Sequence, residues 1–263
     1  MLIDLYTFQD YDGILESFRN NNNVYKPDGS RSALIGDDAH ISATYPDTWD
    51  KNTEPVIDRV MFLNAYNWLI MKMKQHHVKH HDGTMSSIND ASYHEIKYDD
   101  NSYKQYREGN FKYPELPIWF YAKWVKFDKN SDPILPASMK PDRRLSEFKW
   151  ASDYDLLHVR MDASRLLFTD FDAWNQILNR GPLPPLNYET EWTDEQRDEW
   201  FESLDDMSKQ DVVNSWDNSI ITNDEYILAM KSASIEPRFI QATCWELTPV
   251  DIIKVYKSKK RTK

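Results

Sequence analysis

Leu156-Leu157-His158-Val159-Arg160-Met161-Asp162-Ala163-Ser164-Arg165-Leu166-Leu167-Phe168-Thr169-Asp170-Phe171-Asp172-Ala173-Trp174-Asn175-Gln176-Ile177-Leu178-Asn179 carries several kinds of structure in one run. Over 156–162 the chain alternates. Leu157, Val159 and Met161 share one side and His158, Arg160 and Asp162 the other, the period-two signature of a half-buried strand. Ser164 and Arg165 lead into the apolar run Leu166-Leu167-Phe168. Thr169-Asp170 then offers a helix N-cap, with Phe171, Trp174, Ile177 and Leu178 following at helical spacing. Asp170 and Asp172 sit where the helix dipole favours acids, which explains both before any chemistry is invoked. Gly181-Pro182-Leu183-Pro184-Pro185 closes the helix, glycine first and proline after.

Outward from this stretch, strands and helices mix without a regular βαβ rhythm. Leu2, Ile3, Leu5, Tyr6 and Phe8 mark a first strand. Asp10 caps a short helix from Tyr11 to Arg19, with Ile14, Leu15 and Phe18 inward. Lys26 to Asn52 reads as a long polar loop. Thr53-Glu54-Pro55 opens the longest helix, running to about Lys74 and apolar on most sides, so it is expected to be central. Residues 117–125 are aromatic and β-prone, a second strand. Asp132 to Asp142 holds three prolines and reads as a connection. Thr193-Asp194-Glu195-Gln196 is a capping box, Ser208 starts another helix, Arg238 to Leu247 is a strand, Thr248 to Asp251 a helical turn, and Ile253 to Tyr256 a last strand. The order points to an α+β fold with a mixed or antiparallel sheet and packed helices. One domain over 1–263 is expected, with a polar insertion at about 76–111 and a short basic tail.

Composition narrows the partners. With 10 Trp, 15 Tyr and 11 Phe in 263 residues, core-forming side chains are plentiful. A formal net charge of −11 argues against broad, nonspecific nucleic-acid binding. The lone Cys244 leaves no internal disulfide and suits a reducing cytosol. No basic leader followed by an apolar run opens the chain, and no stretch of about 18 apolar residues would span a membrane. A cytoplasmic protein is expected.

The candidate chemistry is sparse. His76 with His80, or His77 with His81, would share a helix face and could hold a transition metal, but no Cys or close Glu completes a set. No metal site is assigned; the plainer reading is a cationic helix end. Cys244, between Thr243 and Trp245, reads as packed rather than nucleophilic. Trp119, Phe120, Tyr121 and Trp124 stack a base or, more simply, fill a core strand. His158, Arg160 and Asp162 form either a clamp for a phosphate or carboxylate, with Arg143 and Arg144 adding to it, or a polar surface edge. Gln241 and Glu246 have opposite parity and are expected on opposite faces.

Leu5-Tyr6-Thr7-Phe8-Gln9, Phe62-Leu63-Asn64-Ala65-Tyr66-Asn67-Trp68-Leu69, Pro117-Ile118-Trp119 with Trp124, and Lys140-Pro141-Asp142 recur as one ordered set. Thr169 to Trp174 with Leu178-Asn179, and Ile240-Gln241-Ala242-Thr243-Cys244-Trp245-Glu246-Leu247, extend it. The set resembles domain of unknown function family 3841, uncharacterised proteins of bacteria and phages, over most of the chain apart from His76 to Phe111. The opening Leu-Tyr-Thr strand and the closing Pro-Val-Asp-Ile-Ile-Lys-Val are also similar to the frame of ADP-ribosyltransferase-like enzymes. That likeness implies NAD as cofactor, lined by Tyr6, Thr7, Gln9, Asp170 and Trp174 with Arg160 on its phosphates. It also implies a transfer centre at Glu246 or Gln241. If the position is Gln241, the customary acid is an amide. The alternative is a non-catalytic protein-binding factor in phage defence or counter-defence. The partner is then a protein target rather than a small-molecule nucleotide.

Overall fold

Leu2–Gln9 forms β1, and its alternation sets the architecture: Ile3, Leu5 and Thr7 turn to one face of the sheet, Asp4, Tyr6 and Phe8 to the other. The computed structural model describes residues 1–29, 54–88, 115–142, 146–185, 193–231 and 237–258. Positions 30–52 of the polar loop, 89–111 of the insertion, Arg143, Arg144 and 259–263 of the basic tail lie outside the described residues.

Asp10 accepts from the Gly13 amide and caps α1, Tyr11–Asn20, which buries Ile14 and Phe18 against the sheet. The second helix, α2, is Glu54–Gln75. Leu63, Ala65, Tyr66, Trp68, Leu69, Met71 and Met73 are all buried along it, so it is apolar nearly all round, as the sequence indicates. Next come β2, Ile118–Phe127, and β3, Pro133–Ser138. The stretch holding β3 reads from sequence as a plain connection. It instead pairs with the far end of β2 only, an edge place that tolerates Pro133 and Pro136. A 3₁₀ segment, Ser146–Asp153, brings in Phe148.

The decisive stretch folds largely as read. β4 is Asp155–Asp162, with Leu157, Val159 and Met161 buried. β5 is Leu167–Asp170, and the Asp170 carboxylate accepts from the Asp172 and Ala173 amides to cap α3, Phe171–Leu178. Arg180, not Gly181, takes the left-handed backbone after α3. Gly181 is small for another reason, since a Cβ there would lie 3.0 Å from Gln176 Oε1. Then follow α4, Asp194–Ser203, opened by the expected capping box, and α5, Lys209–Ser215, which starts at Ser208 as expected, where a capping box with Asp211 forms. Ile220–Ile221 is β6 and Asn223–Lys231 is α6, neither evident from sequence. β7 is Phe239–Cys244 and β8 is Ile252–Tyr256.

The eight strands make one sheet in the order β6-β5-β7-β2-β1-β4-β8, with β3 beside β2. Every pairing among the described strands is antiparallel, so the fold is α+β. One face packs on α1 and α6 through Leu5, Phe120, Val159, Phe168, Ala242 and Tyr226, with Phe168 and Tyr226 stacked at 4.3 Å. The other packs on α2 and α3 through Trp119, Trp174 and Tyr66. Farther along, it packs on Phe148 through Phe8, Tyr121 and Trp124. Each large side chain so buried stabilises by about 1.5–3 kcal/mol. Among the described residues no helix is long and apolar enough to cross a membrane.

Candidate functional site

Two places gather polar groups, and the predicted site residues divide between them. The first is a row across the sheet. Register places Thr169 beside Gln241, Gln241 beside Tyr121, Tyr121 beside Tyr6, and Tyr6 beside His158. All project to the α2/α3 face, because directly opposed residues share a side. Tyr6 stacks on the His158 ring at 4.7 Å. Gln241 and Thr169 are buried, and among the described residues neither the Gln241 Nε2 nor the Thr169 Oγ1 has a hydrogen-bond partner. An unpaired buried donor costs about 1–3 kcal/mol, so the amide is held there against its own preference. Burial pushes the Tyr121 hydroxyl up to about 12 and raises Tyr6 as well.

One step along the same face, the predicted anion clamp is already occupied. Arg160 donates from Nε and Nη2 to the two oxygens of Asp4 at 2.9 and 3.1 Å. His158 Nε2 reaches Asp4 Oδ1 at 2.8 Å. Burial works to raise the Asp4 pKa, but these partners outweigh it and the result is lowered. Arg160 therefore meets a carboxylate of its own chain. Trp174 is buried against Trp119 at 4.8 Å, beside the row. Thr7 and Gln9 point to the opposite face, Gln9 Nε2 donating to Thr7 Oγ1, and Asp170 is spent on its helix cap. Tyr6, Gln241 and Arg160 thus share a face that Thr7 and Gln9 do not.

The second place is the end of β7. Here the chain leaving α1 meets the chain leaving α2. Tyr25 and Leu247 form a β-bridge, with hydrogen bonds of 2.8 and 3.0 Å, and so bring Lys26 to Glu246. On the other side α2 stops at Gln75, and His77 takes left-handed backbone. His76, His77, His80 and His81 are therefore not stacked on a helix face, which removes the spacing argument for a metal. Among the described residues no cluster of three or more His, Cys, Asp or Glu is placed to hold one.

Instead, His80 to Thr84 make a tight hairpin. The His80 amide donates to the Thr84 carbonyl, the Gly83 amide to the His80 carbonyl, and Gly83 has φ +83. The Asp82 carboxylate accepts from the Thr84 amide. This is a three-residue loop with glycine at its left-handed position. It aims both imidazoles at Glu246. The His81 amide donates to Oε1 at 2.9 Å and His81 Nδ1 lies against the same oxygen. His80 Nδ1 lies 3.3 Å and Lys26 Nζ 3.2 Å from Oε2.

The side chain of Glu246 is only 3% exposed. Burial works to raise its pKa, but the His81 amide and ring, Lys26 and His80 together bring it down to about 2. Beneath it, Arg165 binds Asp251 through both Nη atoms and donates to the Glu246 carbonyl at 3.1 Å. Trp245 Nε1 donates to the Val78 carbonyl, and His80 stacks on the Trp245 ring. Cys244 is buried and its thiol is pushed up to about 12, by burial first, so it is no nucleophile. A cleft of 770 Å³ opens here, lined by Asn21, Asn22, Lys26, His81, Asp82 and Glu246 among others.

Glu246 lies beyond the last residue of β7, so strand parity does not govern it, and it is not on the Gln241 row. Lys26, His80 and His81 were not singled out with Glu246 in the sequence. The one local signal was Asp82-Gly83, a pair typical of hairpin turns.

No family model, curated protein or solved structure matches this chain.

Proposed function

We propose that the protein is a cytoplasmic member of domain of unknown function family 3841 that binds NAD in the manner of ADP-ribosyltransferase-like proteins. The site is the row of Gln241, Tyr121, Tyr6 and His158. The observation that carries this reading is the buried Gln241 amide, whose Nε2 donor has no partner while aromatic and hydroxyl groups flank it in register. A carboxamide or base edge supplies the acceptor that the fold withholds. A purely structural position would be filled by an apolar side chain at lower cost.

Glu246 is poorly suited to the transfer centre. Both its oxygens are engaged by donors of its own chain, and a ribose hydroxyl would have to displace one of them. Gln241 carries no charge to steady an oxocarbenium-like centre. That amide favours a second reading, a protein that binds a nucleotide or a protein target without transferring ADP-ribose.

Calorimetry with NAD tests the proposal. Binding in the micromolar-to-millimolar range is expected, weakened at least about tenfold, or 1.4 kcal/mol, in Gln241→Leu. The absence of heat with NAD in wild type overturns it. Mass spectrometry of lysate proteins incubated with the protein and NAD then separates the readings. Added ADP-ribose marks an enzyme, and binding without modification marks the non-catalytic protein.

A further inference from the structure

We propose that the cleft at the end of β7 is a second binding site, in which His81 presents its Nε2 as a hydrogen-bond acceptor to an uncharged, hydroxyl-bearing ligand. A carboxylate only accepts, so the His81 Nδ1 against Glu246 Oε1 must carry a hydrogen. In the neutral ring the lone pair then falls on Nε2, which has no partner among the described residues. His81 lines the cleft and its side chain is 37% exposed. His80 differs: Nδ1 faces Glu246 and Nε2 lies 2.9 Å from Ser86 Oγ, so both its nitrogens are used.

Glu246 acts on a ligand only through the imidazole, as a positioning residue. It fixes the tautomer and ring angle by accepting from the His81 amide and ring at one oxygen. Its own place is secured by the Arg165 hydrogen bond to its carbonyl and by the Tyr25–Leu247 bridge. The carboxylate, with a pKa of about 2, is charged at any ordinary pH. A hydroxyl bound against Nε2 donates its hydrogen bond to that lone pair and keeps its proton, so no bond is made or broken.

The lining sets the ligand class. Asn21, Asn22 and Thr84 offer amide and hydroxyl groups, and among the described residues no Phe, Tyr or Trp lines the cleft. The ammonium of Lys26 is shared between Glu246 and Glu115, and Asp82 adds a further negative charge. With no surplus of positive charge, an anion is not favoured. A volume of 770 Å³ and a hydrogen-bonding wall suit a small polyhydroxyl compound.

The test is a two-bond 1H–15N correlation spectrum of the labelled full chain near neutral pH, with D-ribose as probe. His81 is expected as the Nδ1–H tautomer with an unprotonated Nε2, the reverse of the form a solvent-exposed histidine prefers. Ribose is expected to move the His81 Nε2 resonance saturably and to leave His158 unmoved. Glu246→Gln should return His81 towards the Nε2–H form. The wild-type spectrum stands as a test even if that variant folds poorly. An Nε2–H tautomer at wild-type His81 overturns the proposal. So does a His81 resonance that ribose does not move, and a shift with inorganic phosphate instead would reverse the ligand class. The site is independent of the sheet row, so Gln241→Leu, which tests NAD binding, leaves the His81 tautomer and ribose shift unchanged.

Discussion

Removing the charge of Glu246 should make stability nearly independent of this site's protonation, and the size of the effect follows from its surroundings. Its carboxyl is displaced from an ordinary 4.5 to about 2 by donors from His81, Lys26 and His80, which overcome the burial that would raise it. That displacement corresponds to about 3 kcal/mol favouring the folded chain when the group is ionised. Lys26 and His81 are themselves 48% and 37% exposed, so solvent screening trims this to about 2 kcal/mol.

The folded pKa lies below the unfolded one, so the contribution is fully present above pH 4.5 and is lost as pH falls towards about 2. Glu246→Gln keeps the volume but turns an NH2 towards groups that donate. Urea midpoints followed by tryptophan fluorescence, at steps down through this window, measure both proteins. At neutral pH the variant should be less stable by about 2 kcal/mol. At the acid end the two curves should converge. A gap that stays constant from neutral pH down to the acid end would refute the assignment of the Glu246 charge to this network.

Three further outcomes are expected. Arg165→Met leaves Asp251 buried without its bidentate partner and should cost about 3–5 kcal/mol in denaturant unfolding. It should also broaden the His81 ring signals, since the Glu246 carbonyl loses its anchor. Gln241→Leu removes an amide with no partner on its nitrogen, so the melting temperature should hold or rise, equivalent to about 1 kcal/mol; a clear loss of stability would show that the amide is structural. Asp170→Ala should cost about 1 kcal/mol by stripping the α3 cap, read as a lower urea midpoint.

The parts of the fold legible in the sequence are those where local chemistry and final environment agree. The alternation of 156–162, the Asp170 cap, the Thr193 capping box and the helix start at Ser208 each specify a backbone within a few residues, and each forms. β3 was hidden because its prolines signal a connection unless the strand lies at an edge, and only the tertiary arrangement decides that. β6 is two residues long, too short for any periodicity. The candidate site divides in the same way. That Tyr6 faces away from Thr7 and Gln9 follows from parity within one strand, which is local, while the face Tyr6 shares with Gln241 and Arg160 is set by the register of four strands. The Arg160 partner, Asp4, could not be foreseen without the register of β1 against β4. The grouping of Lys26, His80 and His81 on Glu246 depends on two chain crossings at the end of β7, which no local pattern encodes.

The place of β1 has a consequence for how the chain comes to fold. Its two neighbours are β2 and β4, so Tyr6 must wait for Tyr121 on one side and for His158 on the other. During synthesis the amides and carbonyls of Leu2–Gln9 emerge long before either partner does. Such distant closure is slow, in the millisecond-to-second range for sheets of this kind. Until β4 has left the ribosome, Leu2–Gln9 therefore presents Leu5, Phe8 and an unpaired strand edge to other chains.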